Sequence, residues 1–347
     1  MKRIGFLDYA KGVLITLVVV GHTIQYVFHP HGDFLSDPLF KLIYIFHMPL
    51  FIGISGYLCH AGIQRLALQP YILSKLKAYL IPIFSWAALY ECCVFGIGGN
   101  MPLIDLPVSI INQAVSSLWF LWVLMGCLFL TAAVKAVGHW FRLIYLSAFL
   151  LTLLLPEQGN VIMLKYMLPF FQAGYLFAAI PVNVSNLNTK AILAAAAGVL
   201  IICYVLWSKD TYVYVSGNQL TSAGIGHLIL RYTAGFAASV TVIITLFYLY
   251  LKSSARLRNA IEILGGDSIY IYIIQSYVFG DITRITWNLS HPVSNPFLNS
   301  LLAVLCGAAL TYVCWLTGKI LSATDIGSRI FFGKSKWSPS TWCRAQL

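Results

Sequence analysis

Charge is what this chain has least of. Of 347 residues only 10% are charged, 59% are apolar, and the acids are the scarcer sign, 11 against 22 Lys and Arg. Soluble domains carry about a quarter charged residues, so this composition and a mean hydropathy of +0.81 exclude a water-exposed fold and imply a polytopic membrane protein. With no soluble basic domain to carry it, the net charge of +11 does not signal nucleic-acid binding. The eight cysteines form no Cys-x-x-Cys pair and lie almost entirely in apolar runs, so they read as structural thiols, and neither a metal site nor a disulfide framework is indicated. Internal repeats and linkers are also missing. Lys2 and Arg3 before an apolar run look like a secretory leader, but Asp8 and Lys11 interrupt that run and no small-residue cleavage site follows His22. The segment is read as a retained first span.

What is present is a succession of apolar runs of membrane-crossing length. They fall near 12–29, 39–60, 78–97, 117–136, 140–155, 161–180, 190–208, 226–250, 263–281 and 297–320, the fifth short and the sixth interrupted by Pro169. The expected fold is an all-α membrane protein of about ten transmembrane helices in a single bundle, spanning 1–324, with a short basic tail over 325–347. With a cytoplasmic N-terminus, most of the 22 basic residues fall at inward-facing ends, Lys75, Lys77, Arg256 and Arg258 among them, and the outward loops keep Lys209 and Arg284. That asymmetry places both termini in the cytoplasm.

Three ionisable residues stand out in and before the first span: Asp8 and Lys11 at its entrance and His22 deep inside. A polar group in hydrocarbon costs several kcal/mol unless it faces protein or water. At about 100° per residue the three fall within roughly 60° of one another, with Lys11 and His22 about 16 Å apart along the axis. One face of the helix is therefore a polar track. Asp8 and Lys11 also suit a plain i, i+3 interfacial pair, and His22 a helix-packing role. His47 stands beside Pro49, which frees a carbonyl one turn earlier, so it is read either as capping that kink or as a site residue.

The opening Leu7-Asp8-Tyr9-Ala10-Lys11-Gly12, with Val19-Val20-Gly21-His22, resembles the first helix of the acyltransferase-3 family of integral membrane O-acyltransferases. Lys11 takes the place usually held by Arg. The resemblance continues in Phe46-His47-Met48-Pro49, Ser55-Gly56-Tyr57-Leu58, Leu118-Trp119-Phe120-Leu121, Pro169-Phe170-Phe171 with Gly174-Tyr175, and Leu264-Gly265-Gly266-Asp267-Ser268 with Ile271-Tyr272, so it spans nearly the whole chain. Two features depart from it. Lys75 and Lys77, before Pro82, stand where the family commonly has paired arginines, and Gln275 stands where the late Ile-Tyr motif often ends in His.

The resemblance implies a bacterial inner-membrane, multi-pass enzyme. Such an enzyme moves an acyl group, usually acetyl from cytoplasmic acetyl-CoA, to a sugar hydroxyl of a surface polysaccharide such as O-antigen or exopolysaccharide, or of its lipid-linked precursor. His is the side chain whose ordinary pKa suits removing a hydroxyl proton near neutral pH, and His22 suits either that role or first accepting the acyl group itself. His22, Lys11 and Asp8 are then the catalytic candidates and Lys75 and Lys77 the donor-binding ones. His47, Arg231 and Trp119 are candidates for acceptor binding. Arg231 also suits snorkelling to an interface. Trp119 and Tyr272 also read as packing aromatics, and Asp267-Ser268 as a helix cap. The expected partners are acyl-CoA, a glycan or lipid-linked glycan, and the bilayer, with no metal and no nucleic acid. Loops 30–38 and 282–296, with His29, His31, Asp33, Asp37, Asp281 and Arg284, are the expected acceptor entrance. The competing reading is a proton-coupled transporter that uses His22 and His47 to line a path; such proteins often have paired broken helices.

Overall fold

The apolar runs fold as helices, and no strand occurs among the described residues, which in this computed structural model are 4–334 apart from 30–32, 66, 99–101, 136–140, 181–187, 219 and 283–295. In chain order the helices are α1 (Gly5–Thr23), α2 (Pro38–Arg65), α3 (Leu68–Gly98), α4 (Leu106–Ser116), α5 (Trp119–Lys135), α6 (Phe141–Leu153), α7 (Asn160–Ala179) and α8 (Thr189–Leu206). They continue with α9 (Val213–Ser216), α10 (Ser222–Lys252), α11 (Ala255–Gly266), α12 (Ser268–Ile282), α13 (Pro296–Leu321) and α14 (Asp325–Phe332). Directly after α1 the backbone widens into a π-helical turn, Ile24–Phe28.

The all-α membrane class holds, but the number of full crossings differs from ten. Among the described residues seven helices are long and apolar enough to cross a bilayer, and α4 with α5, bent by 68°, makes at most an eighth. The expected spans near 140–155 and 263–281 are α6 and α12, of 13 and 15 residues. At 1.5 Å per residue these reach about 20 and 22 Å, short of a hydrocarbon core of about 30 Å. The second is short because Asp267 leaves helical geometry and ends α11 as a separate helix, whose Arg256, Arg258 and Glu262 suit an aqueous edge.

Helix α1 is the hub, packed on α2, α11, α12 and α13, while α2 packs on α7 and α10. The closest crossings are built on glycine, as expected where no hydrophobic drive distinguishes helix from lipid. A Cβ at Gly12 would overlap the Ile261 carbonyl of α11, and one at Gly265 the Asp8 carbonyl of α1. Gly56 and Gly174 do the same for α2 and α7, against the carbonyls of Phe171 and Gly53. The outer surface is apolar, as α8 illustrates with Ile201 and Val205 turned away from the protein. Helix α14 packs against α3: Phe332 is fully buried and Trp86 Nε1 donates to the Phe331 carbonyl at 2.9 Å.

Candidate active site

A cavity of about 230 Å³ lies where α1, α2, α5, α7, α10, α12 and the segment after α8 converge, and His22, His47, Trp119 and Arg231 all line it. The four come from four different helices, so the fold brings together residues up to 209 positions apart in sequence.

His22 is set by α1 and oriented by α12. Its Nδ1 lies 2.5 Å from Gln275 Oε1. The amide cannot turn over, because Gln275 Nε2 donates to the Tyr272 carbonyl at 3.2 Å and to Ser276 Oγ at 3.0 Å. An amide oxygen only accepts, so the ring proton is on Nδ1 and a neutral His22 has its lone pair on Nε2. The rings of Tyr26 and Phe279 meet the imidazole edge-on at 5.8 and 5.7 Å. The π-helical turn begins two residues beyond His22 and brings Gln25 and Tyr26 to the cavity wall; such turns concentrate at functional sites.

His47 is buried, and its Nδ1 donates to the Ile43 carbonyl at 2.8 Å. The carbonyl left without a donor by Pro49 is that of Ile45, one turn before the proline, so His47 does not cap the kink. Held in this way, neutral His47 also keeps its lone pair on Nε2. Tyr44 packs 4.6 Å from the His47 ring, in the space that Gly21 leaves on α1.

Trp119 reaches the cavity through an unusual break. Leu118 has φ +47° and is the one non-glycine with positive φ among the described residues. That conformation costs roughly 1–2 kcal/mol for a side chain with a Cβ. The freed Phe120 N–H is met by Tyr272 Oη at 3.1 Å. Strained, non-helical backbone inside a membrane bundle persists where protein buries it, and it clusters at functional sites. The bent pair is single among the described residues, unlike the paired breaks of transporters.

Arg231 is 1% exposed and does not snorkel. Its guanidinium donates to the Thr211 carbonyl (2.7 Å), the Gly217 carbonyl (2.6 Å), Asn218 Oδ1 (2.8 Å) and Ser216 Oγ (2.8 Å). Asn218 N in turn donates to Glu157, which also pairs with Lys165 at 3.4 Å. Arg231 thus ties down the segment 207–218, which carries Trp207, Tyr212 and Tyr214 into the cavity wall. Nothing in the sequence singled out this segment, whose aromatics look like ordinary interface anchors.

The lysine candidates do not line the cavity; they sit at the opposite end of α1. Asp8 and Lys11 form the expected i, i+3 pair at 2.7 Å. Lys75 lies over the rings of Tyr71 and Tyr79 at 5.7 and 5.9 Å, and the Lys77 side chain is exposed. Asp267 is no cap: its Oδ2 takes Trp315 Nε1 at 3.0 Å and Lys319 at 2.7 Å. Of the expected entrance residues, Asp37 caps α2 through Phe40 N at 2.8 Å and faces His29 at 3.6 Å. His31, Arg284 and the side chains of Asp33 and Asp281 lie outside the described residues. No group of three or more His, Cys, Asp and Glu suited to a metal occurs among those described.

Comparison with known proteins identifies the family. Residues 4–319 match the family described as "Acyltransferase domain". The chain is 32% identical over 290 residues to the nodulation protein NolL of Sinorhizobium fredii, covering 78% of this chain and 77% of that protein. It is 27% identical over 343 residues to the NolL of Mesorhizobium japonicum, covering 94% and 89%. No solved structure matches. With the family match covering nearly its whole length, the chain belongs to the acyltransferase-3 family and is a membrane acyltransferase.

Proposed function

We propose that the protein transfers an acetyl group from acetyl-CoA to a sugar hydroxyl of a surface polysaccharide or a lipid-linked glycan, with His22 as the general base. The observation that carries this reading is the fixed tautomer of His22 in an aromatic-walled cavity. In this scheme Nε2 takes the proton of the acceptor hydroxyl as its oxygen attacks the thioester carbonyl, and the tetrahedral intermediate expels the CoA thiolate. The proton held on Nε2 then passes to that sulfur, which closes the balance. Trp119, Tyr44, Tyr212 and Tyr214 offer the flat apolar faces on which sugar rings stack, and His47 Nε2 offers a second polar contact beside His22.

The basic residues cluster at the Lys11 end of α1, which is taken as cytoplasmic, with the protein in a bacterial inner membrane. Acetyl-CoA would enter there, its thioester reaching along the polar track toward His22, and the glycan would enter at the 207–218 end. The relatives are named nodulation proteins, and the acceptor proposed here is left at the level of a glycan hydroxyl.

The test is thioester consumption by purified protein, together with ester analysis of surface glycans from cells with and without it. Acetyl transfer is expected from wild type, and a loss of about 10²- to 10⁴-fold in His22→Ala with expression and insertion unchanged. Full activity in that variant removes His22 from the mechanism. Flux into liposomes without chemistry moves the transporter reading to the front.

A further inference from the structure

Four lysines from four separate segments meet at the end of the bundle remote from the cavity. They are Lys11 on α1, Lys75 on α3, Lys319 on α13 and Lys334 just beyond α14, and Lys334 feels the charge of the other three as well as that of Asp267. Asp8 is taken by Lys11 and Asp267 by Lys319, each at 2.7 Å.

Lys334 is held in place. Thr324 caps α14 through Gly327 N at 3.0 Å, and Arg329 pairs with Asp325 at 2.7 Å. Phe332 packs on Tyr270 with ring centres 4.2 Å apart. Gly333 then turns the chain at φ +61°, in a space where a Cβ would press on the Lys77 carbonyl, and Lys334 N returns to the Ser328 carbonyl at 3.1 Å. The outcome is an ammonium 4.9 Å above the Tyr270 ring. An ordinary interfacial anchor extends into water; this lysine is folded back under the bundle. Lys319 is exposed, but Lys11, Lys75 and Lys334 are only partly so, and bringing like charges together under such cover is unfavourable unless an anion joins them.

We propose that Lys334, with Lys319, Lys75 and Lys11, binds the phosphate groups of the acyl-CoA donor, and that α14 is the strap that delivers Lys334 to the donor entrance. This rests on the acyl-CoA reading above and extends it to a segment beyond the matched family region. A phosphate can also come from an anionic lipid headgroup, and the experiment separates the two. Burial foremost, and then the repulsion of Lys11, Lys75 and Lys319 against the attraction of Asp267, pushes Lys334 down to about 8, as suits a site waiting for an anion.

The experiment compares wild type, Lys334→Gln and Lys334→Arg in nanodiscs of neutral lipid. It uses acetyl-CoA, acetyl-pantetheine (which lacks every phosphate) and direct binding of 3′,5′-ADP. Lys334→Gln is expected to raise KM for acetyl-CoA about tenfold with little change in kcat, to weaken 3′,5′-ADP similarly, and to leave acetyl-pantetheine unaffected; Lys334→Arg restores both. Equal loss on both thioesters, or no loss on either, overturns the proposal. So does an effect that appears only when phosphatidylglycerol is added, since the site then serves a lipid. Wild type that binds 3′,5′-ADP through Lys334 but transfers no acetyl from acetyl-CoA upholds the nucleotide-phosphate site and overturns acetyl-CoA as the donor. Active wild type matched by Lys334→Gln does the reverse.

Discussion

His22 Nδ1 and Gln275 Oε1, 253 positions apart in sequence, lie 2.5 Å from each other. The bond does for His22 what a carboxylate does in an acid–base triad: it fixes which nitrogen carries the proton and where the other one points. Glutamine does it without charge. Gln275→Ala is therefore expected to lower kcat about 10- to 100-fold with KM for both substrates nearly unchanged, because the base is present but free to take the wrong tautomer. Gln275→Glu, which keeps an acceptor oxygen in place, should retain more activity than Gln275→Ala. Initial rates against donor and acceptor decide it; equal activity in both variants sinks the orienting role.

Arg231 makes a separate prediction because its fork is used in full. Arg231→Lys keeps the charge but cannot reach Thr211, Gly217, Asn218 and Ser216 together. Leaving buried acceptors unmet costs about 1–3 kcal/mol, and the segment bearing Tyr212 and Tyr214 should loosen. The expected result is lower thermal stability and a raised KM for the acceptor alone. An unchanged acceptor KM would mean that the segment takes no part in acceptor binding.

Much of this was legible in the sequence, for a physical reason: an ionisable residue in an apolar run is costly, so Asp8, Lys11 and His22 announce themselves. What was hidden depended on three-dimensional partners. Gln275 is an unremarkable amide until His22 is placed against it, and Leu118 carries no sign of its positive φ. Arg231 read first as a snorkelling residue and only second as a substrate-facing one, because its partners sit in the segment 211–218, which has no periodic pattern of its own. The count of crossings went astray at α6 and α12, where hydropathy runs on through turns that end the helix. Asp267 looked like a cap because the motif Gly-Gly-Asp-Ser is read locally, whereas Trp315 and Lys319 claim its carboxylate from another helix.

Donor use should depend on pH through Lys334. Its group is pushed down to about 8, with Asp267, Lys11, Lys75 and Lys319 as the charges around it. Below pH 8 it is protonated and binds phosphate; above, it loses the proton and the attraction. KM for acetyl-CoA should therefore rise by up to about tenfold from pH 7 to pH 9 in wild type, one pKa unit being worth a factor of ten. The rise should be absent in Lys334→Arg, whose guanidinium stays charged, and absent for acetyl-pantetheine. A rise that persists in Lys334→Arg would assign the titration to another group.

The direction of the whole machine follows from which end of α1 faces the cytoplasm. Asp210 and Arg256 are both exposed and flank α10, whose 31 residues span about 46 Å, enough to put them on opposite sides of a bilayer. Cysteines at these two positions are expected to differ: Asp210→Cys labelled by an impermeant maleimide in intact cells, Arg256→Cys labelled only after the membrane is opened. Native Cys92, Cys93 and Cys306 are exposed on the protein surface and need replacing first, as does Cys343, which lies outside the described residues. The expected pattern puts the lysine cluster on the cytoplasmic side and the aromatic cavity toward the outside, so the proposed transfer would carry the acetyl group from the Lys11 end of α1 to His22. The reverse pattern would set His22 and the acceptor cavity on the cytoplasmic side and leave the lysine cluster facing away from any acetyl-CoA, which would remove both the transfer across the bilayer and the phosphate role of Lys334.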